Sequence, residues 1–183
     1  MNDPFLVGNT LYLRPINEAD LNATYREWFN DPDVCKFNSH HRFPNYDANM
    51  REYYEEVIKS HVNLVLAIVT KDSDLHIGNV SLQSIDLLNQ SAEFAIVIGN
   101  KEYWGKKVGQ EAMHLVVEHG FNALNLNRIF LGTAEDNIGM QKLALALGCK
   151  EEGRSRQAIF KGGKFKDIFH YGLLRGEWTN KHT

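Results

Sequence analysis

Cysteine is scarce in this chain: Cys35 and Cys149 are its 2 cysteines, far apart and outside any Cys-x-x-Cys spacing. That scarcity excludes a disulfide scaffold and fits a reducing compartment such as the cytoplasm. An excess of charge is also missing. Lys+Arg 20 stand against Asp+Glu 23, a formal net charge of -3, whereas a nucleic-acid binder needs a basic surplus to meet phosphates. No apolar run approaches the roughly 18 residues of a membrane span. The start, MNDPFLVGNTLYLR, has an early Asp3 and Pro4 and lacks a basic segment followed by an apolar core, so no signal peptide is read there. Repeats and low-complexity segments are absent. The expectation is a cytoplasmic protein that partners neither nucleic acid nor membrane. What is present, 43% hydrophobic and 23% charged residues in 183, suits one domain over 1–183 with a substantial core.

The hydrophobic pattern divides the chain into alternating elements. Leu11 to Arg14 reads as a first strand ended by Pro15, and Asn17 as the cap of a helix with Glu18 and Asp20 in its first turn. Leu21, Tyr25 and Trp28 continue at helical spacing until Asn30-Asp31-Pro32 breaks the run. A polar, His-rich loop follows from Cys35 to Pro44, then a helix from Asp47 to about Lys59. Leu64 to Thr70, His76 to Ile85 and Ala92 to Ile98 read as strands, with Gly78-Asn79 marking a bulge. The spacing predicts a helix from Gly109 to Leu124, a strand from Arg128 to Gly132, and a helix from Asn137 to Leu147 closed by Gly148. Glu152 to Phe160 and Phe165 to Leu174, joined by Lys161-Gly162-Gly163-Lys164, form a hairpin. Strand–helix–strand–helix–strand between 92 and 160 implies parallel neighbours, and the earlier strands are antiparallel. The fold class is therefore α/β, a mixed, mostly antiparallel central sheet with helices on both faces.

The densest signal is AEFAIVIGNKEYWGKKVG running directly into QEAMHLVVEHGF. A strand reaches a turn made of Trp104, Gly105, Lys106, Lys107, Val108 and Gly109, which opens at Gln110 into an amphipathic helix. Unpaired backbone N–H groups at such a helix start suit a pyrophosphate. The plainer reading is a helix-capping turn with solvated lysines.

In order and spacing the chain resembles the GCN5-related N-acetyltransferase family, in the branch that holds ribosomal-protein and spermidine acetyltransferases. The likeness rests on LYLRPI, EWFNDPDV, HIGNVSL, AEFAIVIGN, WGKKVGQEA, AEDNIGMQKLALALGCKEEG and KGGKFKDIFHYGLL, and it covers nearly the whole chain. It implies a V-shaped opening between the AEFAIVI and RIFLGTA strands, where acetyl-CoA, the acetyl donor, lies like an added strand against the backbone of Ile96, Val97 and Ile98. It also implies that the pyrophosphate meets the turn from Trp104 to Gly109. Two positions there depart from the family pattern: Trp104 stands for Gln or Arg, and Lys107 for the first Gly. A Lys forced into the left-handed region costs on the order of 1 kcal/mol, which a phosphate contact would offset. Asn137 caps the next helix and, by resemblance, also contacts the pantetheine arm. The family's frequent tyrosine falls on Ala144 and its serine on Met140, so no general acid for the departing thiolate stands at those positions. A thiol of pKa near 8.5 leaves without obligatory protonation.

An ammonium has no lone pair, so an amine acceptor needs a base. Glu93 is the first candidate: it shares a strand face with Ala95 and Val97, in apolar company that would raise its pKa. The competing reading is a solvent-facing carboxylate or a partner for Arg128. Asp86 is second, with strand closure as its alternative. A backbone N–H near Ile96 to Ile98 would serve the oxyanion. Metal is not expected. The side chains of His40 and His41 diverge and read as substrate-loop residues, and His114 and His119 lie five positions apart on one helix, wrong for a ligand pair. Tyr25, Trp28, Phe29, Phe37 and Phe43 fit a substrate pocket or a plain core equally. The expected activity is acetyl transfer to a primary amine, on a small molecule such as an amino sugar on a nucleotide, a polyamine or an aminoglycoside. A protein N-terminus is the alternative acceptor, and a non-catalytic acyl-CoA-binding module the alternative class. A homodimer is left open.

Overall fold

The computed structural model describes residues 1–21 and 23–178; residues 179–183, counted with the domain by sequence, lie outside the described residues. The strands are β1 (Leu6–Val7), β2 (Leu11–Pro15), β3 (Leu64–Thr70), β4 (His76–Asp86), β5 (Ser91–Ile98), β6 (Arg128–Ala134), β7 (Lys150–Lys161) and β8 (Lys164–Leu174). They form an 8-stranded sheet in the order β1-β2-β3-β4-β5-β6-β8-β7. Among the described residues only the β5–β6 pair is parallel, and every other neighbour is antiparallel. The helices are α1 (Ala23–Asn30), α2 (Asp47–Lys59), α3 (Val108–Asn122) and α4 (Ile138–Ala146).

Alternation along the strands sends each face to a different helix pair. Leu11, Leu13, Leu66, Ile68, Val80, Leu82, Phe94, Ile129 and Leu131 pack with Ala112, Met113, Val116 and Phe121 of α3 and Ala144 of α4. On the opposite face Tyr12, Val65, Ala67 and Val69 meet Tyr54 and Val57 of α2. Val97 there packs against Tyr25, Trp28 and Phe29 of α1 and Met50 of α2. The mixed sheet with helices on both faces is thus the fold observed.

Three local expectations need correction. The run capped by Asn17 is a short 3-10 turn, Glu18–Asp20, before α1. Asp20 closes a capping box, its Oδ2 accepting from the Asn17 N–H at 2.9 Å, and is at the same time held by the Arg14 guanidinium at 2.6 and 2.7 Å. A residue tied to β2 in this way stops the turn there. The bulge falls at Ile77, where the register slips between Ile68 and Val69, while Gly78 and Asn79 are themselves paired. Finally, the parallel neighbours expected through residue 160 exist only for β5 and β6. β8 inserts between β6 and β7, because the Gly162-Gly163 turn, with φ of +61° and +75°, folds β8 straight back along β7 and onto the free edge of β6.

Candidate active site

β5 and β6 are paired only at Ser91–Arg128, Ala92–Ile129 and Glu93–Phe130. Beyond Glu93 the strands part. β5 runs on to Ile98 paired with β4 alone, and β6 runs on to Ala134 paired with β8. A V-shaped opening results, and backbone groups of β5 between Phe94 and Ile98 face it without a strand partner. Ile96 and Ile98 pack toward α3 and Val97 toward α1, so what this stretch offers the opening is backbone.

The turn after β5 leaves an open helix start. Gly105 has φ +76°, and Lys107, the residue before α3, has φ 63° and ψ 4°, the left-handed conformation. The chain therefore accepts the strain that a glycine would avoid. The carbonyl of Lys107 accepts the first helical bonds, from Gln110 at 3.0 Å and Glu111 at 3.2 Å. The N–H groups of Val108 and Gly109 precede those bonds and point out of the helix end. A Cβ on Gly109 would meet only Ile96 Cδ1 at 3.7 Å and Leu143 Cδ2 at 3.8 Å, ordinary contacts. Packing within the protein thus leaves room for a side chain there, and the glycine keeps the helix mouth open. Trp104 braces the turn: its indole N–H donates to the Ile98 carbonyl at 2.8 Å. Lys106 lies 5.0 Å over the Tyr103 ring. Across the opening Asn137 caps α4, its Oδ1 accepting from the Met140 N–H at 3.2 Å, which leaves its side-chain N–H groups for another acceptor. The residues present fit a pyrophosphate-bearing thioester. Val108, Gly109 and Lys107 would hold the phosphates, and the β5 edge with Asn137 the arm.

Glu93 is the last residue of β5 to pair with β6 and so stands at the apex of the opening. Gln83 and Phe130 are its register partners on the same face. It is not the partner of Arg128, whose guanidinium is held by Glu152, at 2.6 Å for Nη1. Asp86 closes the β4–β5 turn, its alternative reading. Its Oδ1 accepts from the N–H groups of Leu88 and Asn89 at 2.9 and 2.8 Å, and its Oδ2 from the Asn89 amide at 2.6 Å. The bonds from the Asn89 backbone and then its side chain hold the carboxyl below the usual carboxylate range. A carboxylate stabilised in that way is a poor base, so Asp86 is set aside.

Sequence reasoning missed the polar row beside Glu93. Asn79, Ser81 and Gln83 of β4 lie opposite Val97, Ala95 and Glu93, with Asn79 donating to the Tyr25 hydroxyl at 2.9 Å and Gln83 to Ser81 at 2.9 Å. His170 of β8 is register partner to Gly132, and its Nε2 lies 2.7 Å from Ser155 Oγ on β7. Alternation in HIGNVSLQ pointed to the first group; the second depends on the β8 insertion. Tyr25, Trp28 and Phe29 prove to be buried core, with the Tyr25 ring edge-on to the other two at 5.6 and 5.2 Å. Phe43 is fully outside, 83% exposed. Ala144, where the resemblance puts a tyrosine, is completely buried between α4 and the sheet and faces no opening. Burial lifts the Cys149 thiol to about 11, which removes it as a nucleophile.

Residues 10–150 match the model of the family described as acetyltransferase (GNAT) domain. The chain is 28% identical over 178 residues to the uncharacterized N-acetyltransferase p20 of Bacillus licheniformis, covering 95% of this chain and 98% of that protein. It is 26% identical over 176 residues to a spermidine N(1)-acetyltransferase of Vibrio cholerae, covering 96% and 99%. A solved structure of spermidine N-acetyltransferase from Vibrio cholerae, in complex with CoA and spermine, shares the fold at TM-score 0.85 and 24% identity, over 92% of this chain and 97% of that one. The parted strands are therefore set in an acyltransferase fold, and the chain belongs to the GNAT acetyltransferase family. It is an N-acetyltransferase with acetyl-CoA as acetyl donor.

Proposed function

We propose that residues 1–183 act as one cytoplasmic domain that acetylates the primary amine of a small molecule. The observation that carries this reading is the position of Glu93 at the apex of the β5–β6 opening, next to a strand edge and a helix mouth that suit the donor. Acetyl-CoA supplies an acyl group activated as a thioester. Glu93 takes the proton from the acceptor ammonium and frees its lone pair. A backbone N–H of β5 between Phe94 and Ile98 donates to the acyl oxygen as negative charge gathers there. Lys107, Val108 and Gly109 orient the donor through its phosphates, and Asn137 through its arm. With Ala144 buried, the sulfur leaves as thiolate. Relatives named for spermidine acetylation support a small acceptor, and among the described residues no helix is long and apolar enough to cross a membrane.

The test is thiol release from acetyl-CoA with a panel of small amines and peptide N-termini. Turnover of a small amine in preference to every peptide is expected. Turnover confined to peptides would reassign the acceptor, and donor binding without any turnover would make the chain an acyl-CoA-binding module.

A further inference from the structure

The molecule's cationic side chains are not spread evenly. An open cavity of about 560 Å³ lies between the segment after α1 and the tip of the β7–β8 hairpin. It is lined by Pro32, Lys36, His41, Arg42, Phe160, Lys161, Gly162 and Lys166. Four of these are Lys or Arg, and no Asp or Glu is among them. Lys166 is paired with Asp136. Lys161 donates to the His40 carbonyl at 2.7 Å, a contact that fixes its position and leaves its charge uncompensated. Lys36 lies 5.1 Å from the Phe37 ring centroid. Among the described residues Lys36, Arg42 and Lys161 form no ion pair. The nearby acids of the segment, Asp31 and Asp33, are turned to Lys101 at 2.6 and 3.0 Å. In a protein whose net charge is -3, such a concentration of unpaired cations sets a local positive potential. Phe160 and Phe165, 51% and 64% exposed, add a pair of rings 5.0 Å apart at the same hairpin tip.

The cavity lies on the sheet face that carries Glu93, beyond the level of Ala134 where β6 ends. His40 sits 4.7 Å from the Phe29 ring. Phe29 belongs to the cluster that packs on Val97 of β5, the face that carries Glu93. On the other wall, Lys166 and Ile168 lie on β8, whose Ile168 pairs with Ala134 at the open end of β6.

Resting on the acetyltransferase reading above, we infer that the acceptor is an amine carrying a phosphate group, which this cationic cavity holds while the amino group reaches Glu93. A polyamine or an aminoglycoside, positive throughout, would be repelled by the same side chains. A phosphate accepts from Arg and Lys in charge-assisted hydrogen bonds, and an exposed phenyl ring offers a stacking face to a base if that phosphate belongs to a nucleotide.

Initial rates at saturating acetyl-CoA with glucosamine 6-phosphate, glucosamine and spermidine test this. The phosphorylated amine is expected to have the highest kcat/KM, with an advantage that shrinks as salt rises. The double charge reversal R42E/K161E should raise its KM about tenfold or more, and the milder R42Q/K161Q less; because Lys161 is tied to the His40 carbonyl, R42E alone is the control expected to raise KM in the same direction at unchanged melting temperature. A preference for spermidine, or a reversal that raises the KM of acetyl-CoA instead, would overturn the inference; the second result would give the cavity to the donor's phosphates. If no amine is turned over, the acetyltransferase reading fails separately. Calorimetric binding of glucosamine 6-phosphate against glucosamine then decides: affinity for the phosphate form that is lost in R42E/K161E supports the cavity, and equal or absent binding refutes it. Uridine diphosphate competing with the amine, and weakened by F160A, would assign the phosphate to a nucleotide. Lack of competition beside turnover of the sugar phosphate would assign it to a simple ester.

Discussion

Lys107 and Gly109 carry opposite kinds of information. Lys107 occupies a left-handed conformation that L residues resist by roughly 1–2 kcal/mol, so its side chain stands there against a backbone preference. At Gly109 a Cβ would meet nothing of the protein closer than 3.7 Å. Gly109→Val is therefore expected to leave the fold intact and weaken acetyl-CoA binding by about 1.4 kcal/mol or more, tenfold in Kd. Lys107→Ala removes one screened charge and should weaken it less. Equal affinities in calorimetry would show that the glycine serves no ligand. For Glu93, replacement by Gln keeps shape and removes the acceptor of the proton. The rate is expected to drop by roughly 10²–10⁴-fold at unchanged affinity for acetyl-CoA. Near-normal turnover in the mutant would move the proton to His170 or to solvent. Asp86, bound on both oxygens within its own turn, shows why residue type at a strand end does not by itself identify a base.

At the scale of elements, the opening depends on how α1 seats against β5. The residue after β5 is Gly99, and a Cβ there would overlap the ring of Trp28 on α1. The indole also lies 5.0 Å from His76, whose Nδ1 is 3.3 Å from Asp20. The α1 ring cluster, the short turn at Glu18–Asp20 and the end of β5 thus form one packed unit. Gly99→Ala must push Trp28 away, and overpacking of this kind costs typically 1–3 kcal/mol. The expected result is a lower melting temperature together with a raised KM for the amine, since displacing α1 disturbs the acceptor face. A melting loss with unchanged KM would mean that α1 is scaffold only. α3 serves the other side of the opening and gains a further tie from Glu111, which accepts from the Thr10 N–H at 2.8 Å and so joins the helix start to β2.

The whole molecule responds to acid and to ligand in ways the buried groups set. Arg14 and Asp20 are 7% and 5% exposed. Burial alone would raise the Asp20 pKa, but bonds from Arg14, His76 and the Asn17 backbone outweigh it and hold the carboxyl well below its usual range. A carboxylate depressed in the folded state stabilises above its unfolded pKa, about 3.9, and that contribution is lost as pH falls below it. Stability should therefore decline on acidification below about pH 4. Asp20→Asn, which strands the guanidinium, should cost about 3–5 kcal/mol at neutral pH and flatten that acid limb. An unchanged limb by denaturant titration would place the acid sensitivity elsewhere. In the other direction, acetyl-CoA at 100 times its Kd should add about 2.7 kcal/mol, seen as a rise in melting temperature. No rise at millimolar donor would contradict the site assigned at the β5–β6 opening.

Local periodicity, caps and turn residues determined most of the elements, because these are interactions among neighbours in the chain. α2 and β3 stand at the residues the pattern predicts, Asn17 and Asn137 cap as their chemistry requires, and a helix opens after the Gly- and Lys-rich turn at Lys107 as the pattern predicts. What lay beyond the sequence is adjacency between distant segments. No spacing rule places β8 between β6 and β7, sets His170 beside Ser155, or turns Asp86 into its own loop. The cationic cavity is the clearest case: Lys36 and Arg42 stand well over a hundred positions from Lys161 and Lys166. Over the chain their charges vanish into a nearly even balance, and only packing of the loop against the hairpin brings them together. Like charges so gathered repel, and nothing local in the chain compels that arrangement. The tertiary structure alone decides it.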